Sequence, residues 1–200
     1  MKSKSCIAVA AIGLSLSLID SGAIAVKSSK YAYQKMADTS SSFSSFGLPV
    51  INNAGTVAFS ANTDGALGAY TSTGKTITTI AENVGLYESI GSPIAINDTG
   101  TVAFVATPAR GTTTTEYPTE TIFTSTNGKV TQVPAYKPSP ESGYPAYDRI
   151  VSLALNNRGT IAYVAQNMRG IGVLSSDGRL IAEASDARLS TVDSANINDR

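Results

Sequence analysis

Across residues 56–61 the chain alternates. Val57, Phe59 and Ala61 fall on one side of an extended strand, and Thr56, Ala58 and Ser60 on the other. The pattern returns at residues 101–106 and 160–165, where the second side carries Ala103 with Val105 and Ala162 with Val164. Both sides are therefore apolar or small. A strand with one wet face would interleave polar residues regularly, so these strands predict sheets covered on both faces.

Each such strand follows a turn. Asn52-Asn53-Ala54-Gly55, Asn97-Asp98-Thr99-Gly100 and Asn156-Asn157-Arg158-Gly159 stand at the same place in successive copies. Asn bonds to nearby backbone and Gly accepts positive φ, so each tetrapeptide predicts a hairpin turn. A second hairpin follows each copy, at 72–75, 126–129 and 176–179, two of them built on Asn-Gly or Asp-Gly. Strands are predicted at 68–71 with 76–81, 121–125 with 130–133, and 171–175 with 180–184. Four antiparallel strands in a unit of about 40–50 residues describe one blade of a β-propeller. The expected fold is all-β: a partial propeller with three full repeats and the start of a fourth at Ile197-Asn198-Asp199-Arg200.

The expected segments are residues 47–91, 92–149 and 150–193 for the repeats, and 194–200 for the fourth. A Ser-rich lead-in at 26–46 precedes them, with 31–36 as the outer strand of an incomplete earlier blade. Residues 1–25 have the form of a secretory signal: Lys2 and Lys4, an apolar stretch from Cys6 to Ile19, and Ala23-Ile24-Ala25 as a cleavage site. The apolar stretch is short for a membrane span, and none is expected after cleavage. The expected location is secreted or cell-surface, extracellular or periplasmic. A stack of three units and a part predicts open edges prone to self-association.

Spacing separates the second unit from its siblings. Gly55 to Gly74 and Gly159 to Gly178 are each 19 residues apart, whereas Gly100 to Gly128 is 28. The extra residues lie within 107–119, and a second enlargement follows at 134–148. Both are rich in Pro, Gly, Ser and Thr, hence loops. In an up-and-down sheet, the loop after strand two and the loop after strand four emerge at the same end. The two enlargements should share one face, and insertions on one face of a repeat array often form its binding surface.

The chemistry available is narrow. The chain has no His, and its one Cys, Cys6, lies in the leader, which removes His-based triads, His metal sites and a cysteine nucleophile. Fifteen basic and fifteen acidic residues balance, and loss of Lys2, Lys4 and Asp20 leaves a net charge of −1. That balance gives no nucleic-acid footprint. No catalysis, cofactor or metal is expected. Asn97-Asp98-Thr99-Gly100 offers oxygen ligands for calcium, but its place in the repeat marks it as a turn. It also fits a glycosylation acceptor. Residues 175–178 distantly resemble the aspartate box of sialidase propellers, without its aromatic.

Four of the nine tyrosines fall in or beside the two loops. With Arg110, they make Tyr117, Tyr136, Tyr144 and Tyr147 the candidate ligand-binding residues, since tyrosine joins a flat apolar ring to a polar tip. The ligand expected is an extracellular glycan or protein. A polysaccharide hydrolase or lyase using Glu116 and Glu141 is the enzymatic alternative, and a fragment without independent function is another.

The motif N-x-x-G-x-x-A-F, at Asn52, Gly55, Ala58 and Phe59, at Asn97, Gly100, Ala103 and Phe104, and at Asn156, Gly159 and Ala162 with Tyr163 replacing Phe, resembles that of bacterial secreted tandem-repeat proteins. The resemblance implies a propeller-like shape, a surface location and, in many members, a C-terminal anchor.

Overall fold

The computed structural model describes residues 6–11, 32–40, 42–112, 119–134, 147, 149–167, 170–183 and 194–199. Among these residues the secondary structure is strand, with no helix and so none long and apolar enough to cross a membrane. β1 (Cys6–Ala11) and β2 (Ala32–Asp38) form an antiparallel ribbon. The first large sheet contains β3 (Phe43–Phe46), β4 (Val50–Ile51), β5 (Val57–Thr63), β6 (Leu67–Ser72) and β7 (Ile77–Glu82). β3 and β4 both pair with β5, as two halves of one strand. The second sheet is β8 (Tyr87–Ile96), β9 (Val102–Pro108), β10 (Thr121–Thr126) and β11 (Lys129–Gln132). The third is β12 (Arg149–Leu155), β13 (Ile161–Asn167), β14 (Gly170–Ser175) and β15 (Leu180–Glu183).

All pairings are antiparallel and follow chain order within each sheet. The hairpins and strand limits lie within two residues of those the turn chemistry predicts. The first sheet begins at Phe43 and the second at Tyr87, upstream of the repeat boundaries at 47 and 92.

The sheets stack with a polarity written in β5, β9 and β13. Val102, Phe104 and Ala106 share a buried cluster with Ala58, Ala69 and Val50 of the preceding sheet. Ile161, Tyr163 and Ala165 share another with Ala103 and Val105 of the second sheet. In each unit the aromatic side faces upstream and the small side faces downstream. Ala58 and Ala103 leave room where the next sheet's ring arrives, which explains why both strand faces are apolar. Phe59 and Phe104, each fully buried, stack on their cross-strand partners Tyr70 and Phe123, at ring separations of 5.9 and 5.7 Å. Such pairs add about 0.5–1.5 kcal/mol beyond the area they bury. The first strand of each later sheet carries the contact with the sheet before it: β8 meets β5 and β6, and β12 meets β8.

The outward face of the first sheet is covered by β2. Met36 and Ala37 are buried with Val57, Phe59 and Tyr70, and Ser72 Oγ donates to the Met36 carbonyl at 2.7 Å. At the other end of the stack, the Ala195 N–H donates to Ser152 Oγ at 3.2 Å. β2, which takes in most of the outer strand expected at 31–36, thus packs on the face of the first sheet. β1 belongs to the stretch with the character of an export leader, and here it pairs with β2.

Candidate functional site

The two ends of the sheets have different chemistry. At one end sit the Asn turns. Asn52, Asn97 and Asn156 each accept from the glycine N–H three residues on, at 3.0–3.1 Å, with Gly55, Gly100 and Gly159 at φ of +80°, +80° and +84°. Each Asn Oδ1 accepts from the backbone N–H four residues on, at 2.9 Å. The side-chain nitrogen then leaves its own unit. Asn52 Nδ2 donates to the Asn97 carbonyl, Asn97 Nδ2 to the Asn156 carbonyl and Asn156 Nδ2 to the Asn198 carbonyl, each at 3.0 Å.

A second line runs beside the first. The backbone N–H groups of Asn53, Asp98 and Asn157 donate to the side-chain oxygens of Asp98, Asn157 and Asp199, at 2.6–2.8 Å. Asp98 Oδ2 also accepts from Asn53 Nδ2 and Asn157 Nδ2, at 2.8 and 3.0 Å. The Asn53 backbone N–H, then the Asn157 and Asn53 amides, hold the Asp98 carboxyl below its ordinary range. These oxygens are engaged between sheets, so the turn serves the architecture. Asn97 is buried and its Nδ2 is committed to Asn156, which removes it as a glycosylation acceptor.

The opposite end carries the hairpins after β5, β9 and β13 and the connections between sheets. Here the roots of both enlarged loops converge on the gap between the second and third sheets. A cavity of about 90 Å³ opens there, lined by Thr119 and Glu120 from the root of the first loop, Pro134 and Tyr147 from the roots of the second, and Ile122 and Tyr163 from the sheets. Glu120 Oε2 accepts from the Ile150 N–H at 2.6 Å, which ties the first loop to the third sheet. The Tyr147 ring lies so close over Gly172 that a Cβ there would stand 2.3 Å from its hydroxyl. Nearby, the Ala109 N–H donates to the Leu86 carbonyl at 2.9 Å. Arg110 approaches Glu88 at 3.4 Å with both side chains largely in water, a pair worth little to stability. Val84 and Leu86 stand exposed on the same end.

A model of a family of unknown function, DUF7453, matches residues 34–197. The chain belongs to that family. The DUF7453 match runs from β2 into the start of the fourth unit, so it takes in all three sheets, the Asn turns and both enlarged loops. No curated protein matches the chain.

Within this DUF7453 frame, the structure brings Tyr147 to the cavity and Arg110 to the root of the first loop. Tyr117, Tyr136 and Tyr144, like Glu116 and Glu141, lie outside the described residues. Tyr163 and Ile150 were not expected at a site. Tyr163 carried a signal, being the one copy where Tyr replaces the repeat's Phe. Asp177, in the stretch resembling an aspartate box, bonds to Ser175 within its own turn. That bond holds its carboxyl below the usual range. Among the described residues, no group of three or more His, Cys, Asp or Glu is placed to hold a metal.

Proposed function

We propose that the chain is an exported, non-catalytic repeat scaffold, propeller-like in the stacking of its blades, that binds an extracellular glycan or protein through the end bearing loops 107–119 and 134–148. The observation that carries this reading is the cavity between the second and third sheets, into which the roots of both loops lead. Two tyrosines, an apolar floor and a carboxylate already committed to backbone suit recognition through ring contact and shape. Rigid sheets with loops enlarged in one unit supply a fixed platform and a variable surface.

The protein alternative draws on Val84 and Leu86, whose exposed side chains adjoin the root of the first loop. Apolar groups of this kind suit a protein partner better than a sugar. Retention on insoluble polysaccharide, cell-wall material and immobilised extracellular protein tests the reading. Tyr147→Ala should lose retention, and so should Val133→Phe, which narrows the cavity while keeping Tyr147. If both variants fold by circular dichroism and bind as the parent does, this cavity is not the site.

A further inference from the structure

The gap between the first and second sheets departs from the repeat in two places. Eight residues after the ladder asparagine stand Ser60, Val105 and Val164. Where one sheet presents Val105 toward the next, the first sheet presents Ser60. Between the core residues Ile150 and Leu153, β12 has two residues; between Ile90 and Ile94, β8 has three, and Ser92 lies in that longer bulge. The two departures meet, with Ser60 Oγ and Ser92 Oγ 3.0 Å apart and Ser60 buried at 4% exposure. A hydroxyl at Ser60, where the repeat buries Val105 and Val164, gives up apolar burial.

The small residues also leave space. A cleft of about 250 Å³ lies here, lined by Ser60, Ser92, Gly91, Asn62, Ser45 and Phe46, among others. Its lining includes three hydroxyls, a carboxamide and the apolar side chains of Leu67 and Ile90, with no charged residue, while the Phe46 ring packs on Phe43 and Phe59 on the sheet's other face. Asn62 Nδ2 donates to Ser45 Oγ at 2.7 Å, leaving its carbonyl oxygen to accept. Gly47 must lack a side chain, since a Cβ would stand 2.2 Å from Ser60 Oγ and 2.8 Å from Ser92 Oγ. A Cβ at Gly91 would meet nothing within 4 Å, so a larger residue there could fill this side of the cleft. The volume is slightly below that of ordinary ligand pockets, about 300 Å³ and upward, and suits one sugar ring.

We propose that this cleft is a subsite for a neutral, hydroxyl-rich ligand, a single hexose unit of a glycan, held by the Ser60–Ser92 hydroxyl pair and Asn62 beside Leu67. It deepens the glycan form of the reading above but uses a different gap between sheets. Glucose, galactose, N-acetylglucosamine and, as a control, glycerol are each titrated into the full chain, with the amide signals of Ala61, Gly91 and Ser92 followed by NMR. At least one of the sugars should shift these signals saturably in the millimolar range while glycerol does not.

Ser60→Val restores the residue of the other units. It should melt at the same temperature or higher and weaken the sugar by about tenfold or more, equivalent to about 1.4 kcal/mol. Gly91→Val, which keeps both hydroxyls and fills the space, should weaken it similarly. Tyr147→Ala should leave this titration unchanged, which separates failure here from failure of the cavity between the second and third sheets. Absence of saturable shifts with every sugar would overturn the proposal. So would shifts that persist undiminished in Ser60→Val, which would make the hydroxyl pair a packing detail.

Discussion

The end carrying the Asn turns and the end carrying the enlarged loops are built from the same strands under opposite constraints. At the turn end every unit repeats the same bonds at nearly the same lengths, and each turn holds the next. At the loop end the units differ in length, polarity and the size of the gap between sheets. Uniformity at one end fixes the spacing of the sheets, and that leaves the other end free to vary. Residues that recur build the architecture, and departures from recurrence are the candidates for recognition.

The largest test of that division is at the turns. Asn97→Ala removes a donor to the next sheet, an acceptor for the Thr101 N–H and a partner of Thr99 Oγ1, all at a buried position. The expected loss is about 2–3 kcal/mol by urea unfolding. A loss within about 0.5 kcal/mol would mean that the turns do not hold the stack together.

Acid should act on the same end. The Asp98 carboxyl titrates below its ordinary 3.8 in the folded chain, because the backbone N–H of Asn53 and the amides of Asn157 and Asn53 favour its charged form. Its contribution is complete above that ordinary value and is lost as pH falls through the lower folded value. Melting temperature followed from neutral to strongly acid pH should therefore fall less steeply in Asp98→Asn than in the parent. The two curves remaining parallel would remove Asp98 from the ladder's energetics.

The smallest effect belongs to the loop end. Shortening loop 107–119 by the nine residues that separate it from the other units should change stability by less than about 1 kcal/mol, since loop entropy varies slowly with length. A larger loss in thermal unfolding would make that loop part of the core and blur the contrast.

Much of this was legible along the chain. The turn tetrapeptides and the two-sided apolar strands announced the hairpins, and the spacing of Gly100 and Gly128 placed the enlargement. β3 was not legible: Phe43-Ser44-Ser45-Phe46 lies in a Ser-rich stretch, and its strand character comes from pairing with β5 and from the packing of Phe43 against Phe59 and Tyr70. The inter-unit bonds were also hidden. Asn53, Asp98 and Asn157 read as turn formers, and their second role joins residues 45 or 59 positions apart. The Ser60–Ser92 contact needed both the alignment of units and the direction in which the sheets stack. Tyr147 was foreseen as a loop residue, but its place over Gly172 depends on how the third sheet lies under the second loop.

The ladder of asparagines has one further effect. Every link points the same way, amide nitrogen to the following carbonyl, and every link has the same length. The sheets are bound along one margin, as leaves are bound at a spine. A lineage can then gain or drop a leaf by duplicating or deleting a whole unit, without redesigning the binding or the margin where the text is written.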